Sequence, residues 1–154
     1  MIYLINTLIV IASFWFMELF AWTFHKYIMH GALWKIHKDH HKKEHNHVWE
    51  FNDLFIPVFS APGLIALYFG LVEGFSSPLF WIGVGVSLYG ICYFLAHDIF
   101  IHQRIKFLRS SNNRYLLAMR RAHKIHHKYV EKYPGDCFGF LWVPKRIMNE
   151  FKSS

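Results

Sequence analysis

The chain opens on an apolar run from Ile2 to Phe24 in which Glu18 is the only charge. Two further runs, Leu54 to Val72 and Leu79 to Ala96, carry none. Each falls in the roughly 17 to 25 residues a transmembrane helix needs, so the pattern predicts three membrane-spanning helices. No basic residue precedes the first run and no small-residue cleavage site follows its core. It is therefore expected to stay as a helix rather than be removed as a signal. Ser77 and Pro78 read as N-cap and first residue of the third span. Asn52 and Asp53 suit the start of the second, which Pro57 and Pro62 should kink. Residues 103 to 132 lack Gly and Pro and predict one basic helix. The stretch "YPGDCFGFLWVPKR" breaks that pattern and predicts a loop folding back, its Phe138, Phe140, Leu141 and Trp142 against the membrane surface or the protein.

Composition supports the membrane reading. Hydrophobic residues are 54% and aromatics 19% of 154 residues, more than one small soluble core can bury. The fold class expected is all-α: an integral membrane helical bundle with a cytoplasmic helical cap, forming one domain over 1–154. Of seventeen Lys and Arg, five lie between Lys26 and Lys43 and twelve between Arg104 and Lys152. The positive-inside rule then places both basic regions in the cytoplasm and the N-terminus outside. In that setting the net charge of +7 points to anionic lipid headgroups and an acidic protein partner, and not to nucleic acid. Cys92 and Cys137 make no disulfide framework and no cysteine metal cluster.

Ten of the twelve histidines form an internal echo. His25 and His30 precede His37, His40 and His41; His97 and His102 precede His123, His126 and His127. Each half is His-x4-His followed by His-x2-His-His. On a helix the triplets stand at i, i+3 and i+4 and converge on one face, which is chelating geometry for one or two cations. The i, i+5 pairs point about 140° apart on a regular helix. Either a π turn or a helix end lies between them, or the members of a pair serve different ions. The first and third spans run the same way and His25 and His97 each follow a span, so both pairs should lie at one depth. Ten imidazoles exceed the needs of one ion and imply two metals. Imidazole suits Zn, Cu, Fe and Ni alike, and the lack of His-Glu-x-x-His argues against zinc peptidase chemistry. His45 and His47 fall outside the echo and are expected to be solvated. A histidine-rich metal buffer or transporter is the rival from another class, although Glu18 is the only charge the spans offer a transported ion.

Three carboxylates accompany the cluster. Asp39 and Asp98 adjoin His40 and His97 and are expected to accept from imidazole N–H groups. Glu18 lies two turns before His25, about 10 Å deeper, where an ionisable group is costly and by default functional. It is expected to bond to a histidine or a neighbouring helix. Gly83 and Gly90 share the face of His97, which predicts close packing of the first and third spans, with a slot for a substrate ring as the alternative.

The histidine boxes, with "HKYIMHGALWKIHKDHH", "NDL", "YFLAHDIFIHQR", "AHKIHH" and "FGFLWVP", resemble the membrane-bound fatty acid hydroxylase superfamily and, within it, the bacterial β-carotene 3-hydroxylases. The resemblance covers nearly the whole chain. It implies a non-haem di-iron monooxygenase of the bacterial inner membrane that takes a carotenoid from the bilayer. With O2 and reduced ferredoxin it would hydroxylate carbon 3 of the β-ionone ring, giving β-cryptoxanthin and then zeaxanthin. By position the iron ligands would be His25, His30, His37, His40, His41, His97, His102, His123, His126 and His127. Another divalent metal such as zinc could replace iron in a crystal. Membrane relatives are often described with four spans, against three clear ones here. A carotenoid ketolase or lipid desaturase of the same superfamily is the nearest alternative.

Overall fold

The structure, a computed structural model, describes residues 1–42, 49–106, 111–130 and 137–151; His45 and His47 lie outside these. Among the described residues the regular structure is helical. Helix α1 (Ile2–Phe24) runs into a π turn at His25–Ala32 that kinks at Gly31, and α2 (Trp34–His41) follows. A 3₁₀ turn at Phe51–Leu54 leads into α3 (Phe55–Glu73). Helix α4 (Pro78–Tyr93) continues into a second π turn at Phe94–Ile101. Helices α5 (Arg114–Lys128) and α6 (Lys145–Glu150) complete the order.

Three helical stretches, Ile2–Ala32, Phe51–Glu73 and Pro78–Ile101, are long and apolar enough to cross a membrane. Large apolar side chains along them face outward, as a lipid solvent allows. The chain is therefore an integral membrane protein.

The spans pack through small residues. A Cβ on Gly70 would lie 2.2 Å from the backbone N of Phe80, and one on Gly83 would lie 2.6 Å from that of Leu67. Helices α3 and α4 thus form a tight antiparallel hairpin around the Gly74 turn, whose φ of +96° only glycine adopts cheaply. Helix α1 lies parallel to α4 and meets it at Gly85, where a Cβ would be 2.6 Å from the Val10 carbonyl. Close packing of the first and third spans therefore falls on Gly85. Gly83 serves the second span, and a Cβ on Gly90 would meet nothing within 4 Å.

Ser77 caps α4 through the Leu79 N–H, with Pro78 in the first turn, as the sequence predicts. The start of the second span differs. Glu50 is the cap of the 3₁₀ turn, with Asp53 reaching back to the Glu50 N–H. Pro57 falls in the first turn of α3, where its missing N–H costs nothing, and Pro62 lies inside. Among the described residues of 103–132, where one basic helix is expected, helix is found over Arg114–Lys128; the Asn113 side chain accepts from the Leu116 N–H and starts it there. Helix α6 was not legible in the sequence. Its Ile147 is fully buried against Ala118, Ala122 and Cys137, which holds the C-terminal segment on α5.

A candidate two-metal centre

The π turns solve the problem posed by the i, i+5 pairs. With i→i+5 hydrogen bonding, residues five apart stack instead of diverging; the His102 N–H donates to the His97 carbonyl at 2.8 Å. The rings of His97 and His102 come within 4.4 Å between centroids, and those of His25 and His30 within 5.0 Å. Helices α2 and α5 bring the triplets beneath. Arg120 fastens α5 to the second π turn, donating to the Phe100 carbonyl at 2.9 Å and stacking over the Phe100 ring.

Among the described residues, nine of the ten echoed histidines fall into two groups. His25, His30, His37, His41 and His126 form one; His40, His97, His102 and His123 form the other, with ligand atoms within 4.8 Å of one another in each. Each triplet serves both groups: on α2, His37 and His41 face one and His40 the other, while on α5, His126 and His123 divide likewise. His127 stands at the boundary, its ring 4.4 Å from that of His41 and 4.5 Å from that of His123.

The hydrogen bonds fix what these nitrogens can do. His25 Nδ1 meets the Phe138 carbonyl at 2.9 Å, His30 Nδ1 the Val130 carbonyl at 2.7 Å, His37 Nδ1 the Asn52 Oδ1 at 2.7 Å and His40 Nδ1 the Glu50 Oε2 at 2.9 Å. All four partners are acceptors, so each Nδ1 carries the proton and each Nε2 presents a lone pair. Yet His25 Nε2 lies 3.0 Å from His37 Nε2. Two bare nitrogens at that distance repel unless a cation lies between them. His30 Nε2 with His126 Nε2 (3.2 Å), His41 Nε2 with His37 Nε2 (3.1 Å) and His40 Nε2 with His97 Nε2 (3.1 Å) are as close, each with one nitrogen of the pair fixed bare. The two groups therefore fit metal ions, and the His25–His37 pair fits poorly without one.

Burial keeps the imidazoles of the triplets neutral, as ligands must be. It pushes the His37 pKa down to about 3, His126 to about 2 and His127 to about 4, and holds His40, His41 and His123 well below the ordinary value, with repulsion from neighbouring imidazoles adding in each case. The unfolded chain takes up these protons near pH 6.5 and the fold does not. Stability is therefore fully present above about pH 6.5 and lost as pH falls through the folded values. Thermal unfolding of the metal-free protein should be level between pH 7 and 8 and move to lower temperature below pH 6.5; a midpoint rising on acidification would contradict this.

The carboxylates divide the work differently from the sequence expectation. Asp39 is buried and accepts from the backbone N–H groups of Phe51 and Asn52, so it acts on His37 by placing Asn52. Asp98 Oδ1 lies 3.5 Å from His97 Nδ1 and 3.2 Å from Arg104 Nε. Arg104 also pairs with Glu50 at 2.8 Å and Asp53 at 2.9 Å. Glu50, Asn52 and Arg104 were missed. Their one sequence signal is acidic Glu50 and Asp53 opening an otherwise apolar span.

Glu18 has a helix and a loop for partners. Its Oε1 accepts from the N–H groups of Phe140, Leu141 and Trp142 at 2.9 to 3.0 Å, and its Oε2 from the Tyr89 hydroxyl at 2.9 Å. Gly139 leaves room for it: a Cβ there would sit 2.7 Å from Oε1. The same loop supplies the Phe138 carbonyl to His25 and sets Phe140 edge-on to the His97 ring, 5.0 Å between centroids. Phe138 and Phe140 thus face the protein, whereas Trp142 is exposed. Glu18→Ala leaves three N–H groups without partners, at about 1 to 3 kcal/mol each. Its expected loss of about 3 kcal/mol or more should lower the unfolding temperature in detergent, with Glu18→Gln intermediate.

A cavity of about 440 Å³ ends on His25, His37, His40 and His97. Met17, Ala21, Phe59, Val86 and Tyr93 are among its apolar walls. Helices α3 and α4, in contact at their hairpin end, part toward the metal end, where Gly90 lines the space. Wall residues Ile56, Leu64, Ile91 and Phe94 are exposed, so the cavity opens sideways between these two helices. On the other side Phe20 and Phe24 of α1 close against Phe59 of α3.

Known proteins give this geometry its place. The pattern of the fatty acid hydroxylase family matches residues 10–148. The chain is 39% identical over 144 residues to a β-carotene hydroxylase of Pantoea ananas, covering 94% of this chain and 81% of that one. It is likewise 39% identical over 142 residues to a β-carotene hydroxylase of Pseudescherichia vulneris, covering 92% and 79%. A chloroplastic β-carotene 3-hydroxylase of Arabidopsis thaliana is 31% identical over 85% of this chain and 43% of its own length. No solved structure matches the chain. With the match running through all three spans and both histidine halves, the chain belongs to the fatty acid hydroxylase family.

Proposed function

We propose that the chain is a non-haem two-iron monooxygenase that hydroxylates carbon 3 of the β-ionone rings of β-carotene, giving β-cryptoxanthin and then zeaxanthin. One observation carries this reading: imidazole nitrogens packed 3.0 to 3.1 Å apart close the inner end of an apolar cavity that opens to lipid. His25, His30, His37, His41 and His126 would hold one ion. His40, His97, His102 and His123 would hold the other, with His127 completing the set from the boundary. When bound, iron supplies through O2 the oxidising power that no side chain has. The protein's part is to orient the imidazoles, exclude water and hold the ring at the ions. A hydrocarbon offers no hydrogen bond, so the walls must act by shape, and Met17, Phe59 and Phe140 can do so.

Electrons must reach the metals from the polar side. The exposed Arg114, Arg121, Lys124 and Lys128 of α5 suit an acidic donor such as reduced ferredoxin. The distribution of basic residues supports a centre and C-terminus in the cytoplasm and an N-terminus outside, and this reading puts the spans in the bacterial inner membrane among anionic lipids. Expression in β-carotene-producing cells, with extraction and separation of the pigments, tests the reaction. β-Cryptoxanthin and zeaxanthin are expected. Keto-carotenoids would assign a ketolase, and unchanged β-carotene beside metal-loaded protein would favour a metal-binding role.

A further inference from the structure

The two histidine groups rest on different acceptors. In the group around His25, three of the protonated nitrogens meet neutral oxygens: the Phe138 carbonyl, the Val130 carbonyl and the Asn52 amide. Among the described residues two charges flank it: Lys26 Nζ lies 5.4 Å from the Phe138 ring, which packs on His25 and His126, and the Asp39 carboxylate, taken up by the Phe51 and Asn52 N–H groups, stands behind Asn52. In the group around His97 the recorded acceptor is a carboxylate, and a second carboxylate stands nearby. Glu50 takes the His40 N–H at 2.9 Å, and Asp98 lies 3.5 Å from His97 Nδ1. Arg104 gathers Glu50, Asp53 and Asp98 at 2.8 to 3.2 Å, leaving three negative charges against one positive.

A carboxylate on the far nitrogen makes an imidazole a more basic ligand, and surplus negative charge favours a cation. Neutral carbonyls do less of the first and none of the second. We propose that the two metal sites are inequivalent, the one at His40, His97, His102 and His123 binding a divalent ion more tightly and filling first, with Glu50 as the positioning residue that sets the difference. This rests on the cluster being the metal centre proposed above.

The test is titration of the purified, metal-free full chain with Zn²⁺ against a chromophoric chelator. Wild type should bind two ions in steps at least about tenfold apart, the range that orienting partners control. Glu50→Gln should weaken the tighter step about 10- to 100-fold and leave the weaker one unchanged, closing the gap. Asn52→Asp, which puts a carboxylate under His37, should close it from the other side by tightening the weaker step. If Glu50→Gln does not fold, Asp98→Asn addresses the same group from another element and should also narrow the gap. Two steps of equal affinity in wild type, or a gap that survives both carboxylate substitutions, would overturn the proposal while sparing the metal centre. Binding of fewer than two ions would overturn both.

Discussion

Replacing His37 or His123 by Ala is expected to abolish carotenoid hydroxylation, beyond the roughly 10- to 100-fold that loss of an orienting partner costs a metal site. Each offers its nitrogen to one of the two groups from a different helix, and each is buried. His37 Nε2 also faces the bare nitrogen of His25 at 3.0 Å and the Nε2 of His41 at 3.1 Å. The protein should remain in the membrane at normal level with metal content reduced. His45→Ala and His47→Ala, outside the echo, should keep both product and metal. Pigment yield per unit of membrane protein, beside elemental analysis, separates the cases; loss of product at His45 or His47 would refute the ligand set.

Enlarging Gly90 has the second large effect, of the opposite kind. Nothing lies within 4 Å of the Cβ it would gain, so Gly90→Leu should fold and hold metal as wild type does. Its side chain would project into the opening between α3 and α4, and turnover of the ring-ended substrate should fall at least about tenfold, since pockets discriminate at this level by single methylenes. Gly90→Ala should be nearly silent. Gly85→Leu is the contrast: it would drive a Cβ onto the Val10 backbone and cost folding and metal together. If Gly90→Leu also lost its metal, the space beside it would be a packing surface after all.

The parts legible in sequence were those written in local spacing. Three apolar runs became three helices, and the doubled His-x4-His and His-x2-His-His pattern became one cluster because helical periodicity alone aligns the triplets. The i, i+5 spacing left a choice between a π turn, a helix end and separate ions, and the structure settles on π turns for both pairs. Less legible was whatever depends on partners distant in the chain. Glu50 reaches His40 only because the 3₁₀ turn folds back on α2, and Arg104 finds Glu50 across 54 residues. Gly83 and Gly90, on one helix face, read as one packing seam with α1, but they meet α3 and open space, and the close contact with α1 falls on Gly85. Period cannot tell which neighbour a face will meet.

The most direct test of the two-metal oxygenase is a turnover in ¹⁸O₂. Purified chain, loaded with iron and supplied with a chemical or ferredoxin reductant and β-carotene, should yield zeaxanthin whose two hydroxyl oxygens carry the heavy isotope, and metal-free chain should yield none. Hydroxyl oxygen drawn from water, or equal product without metal, would contradict the account.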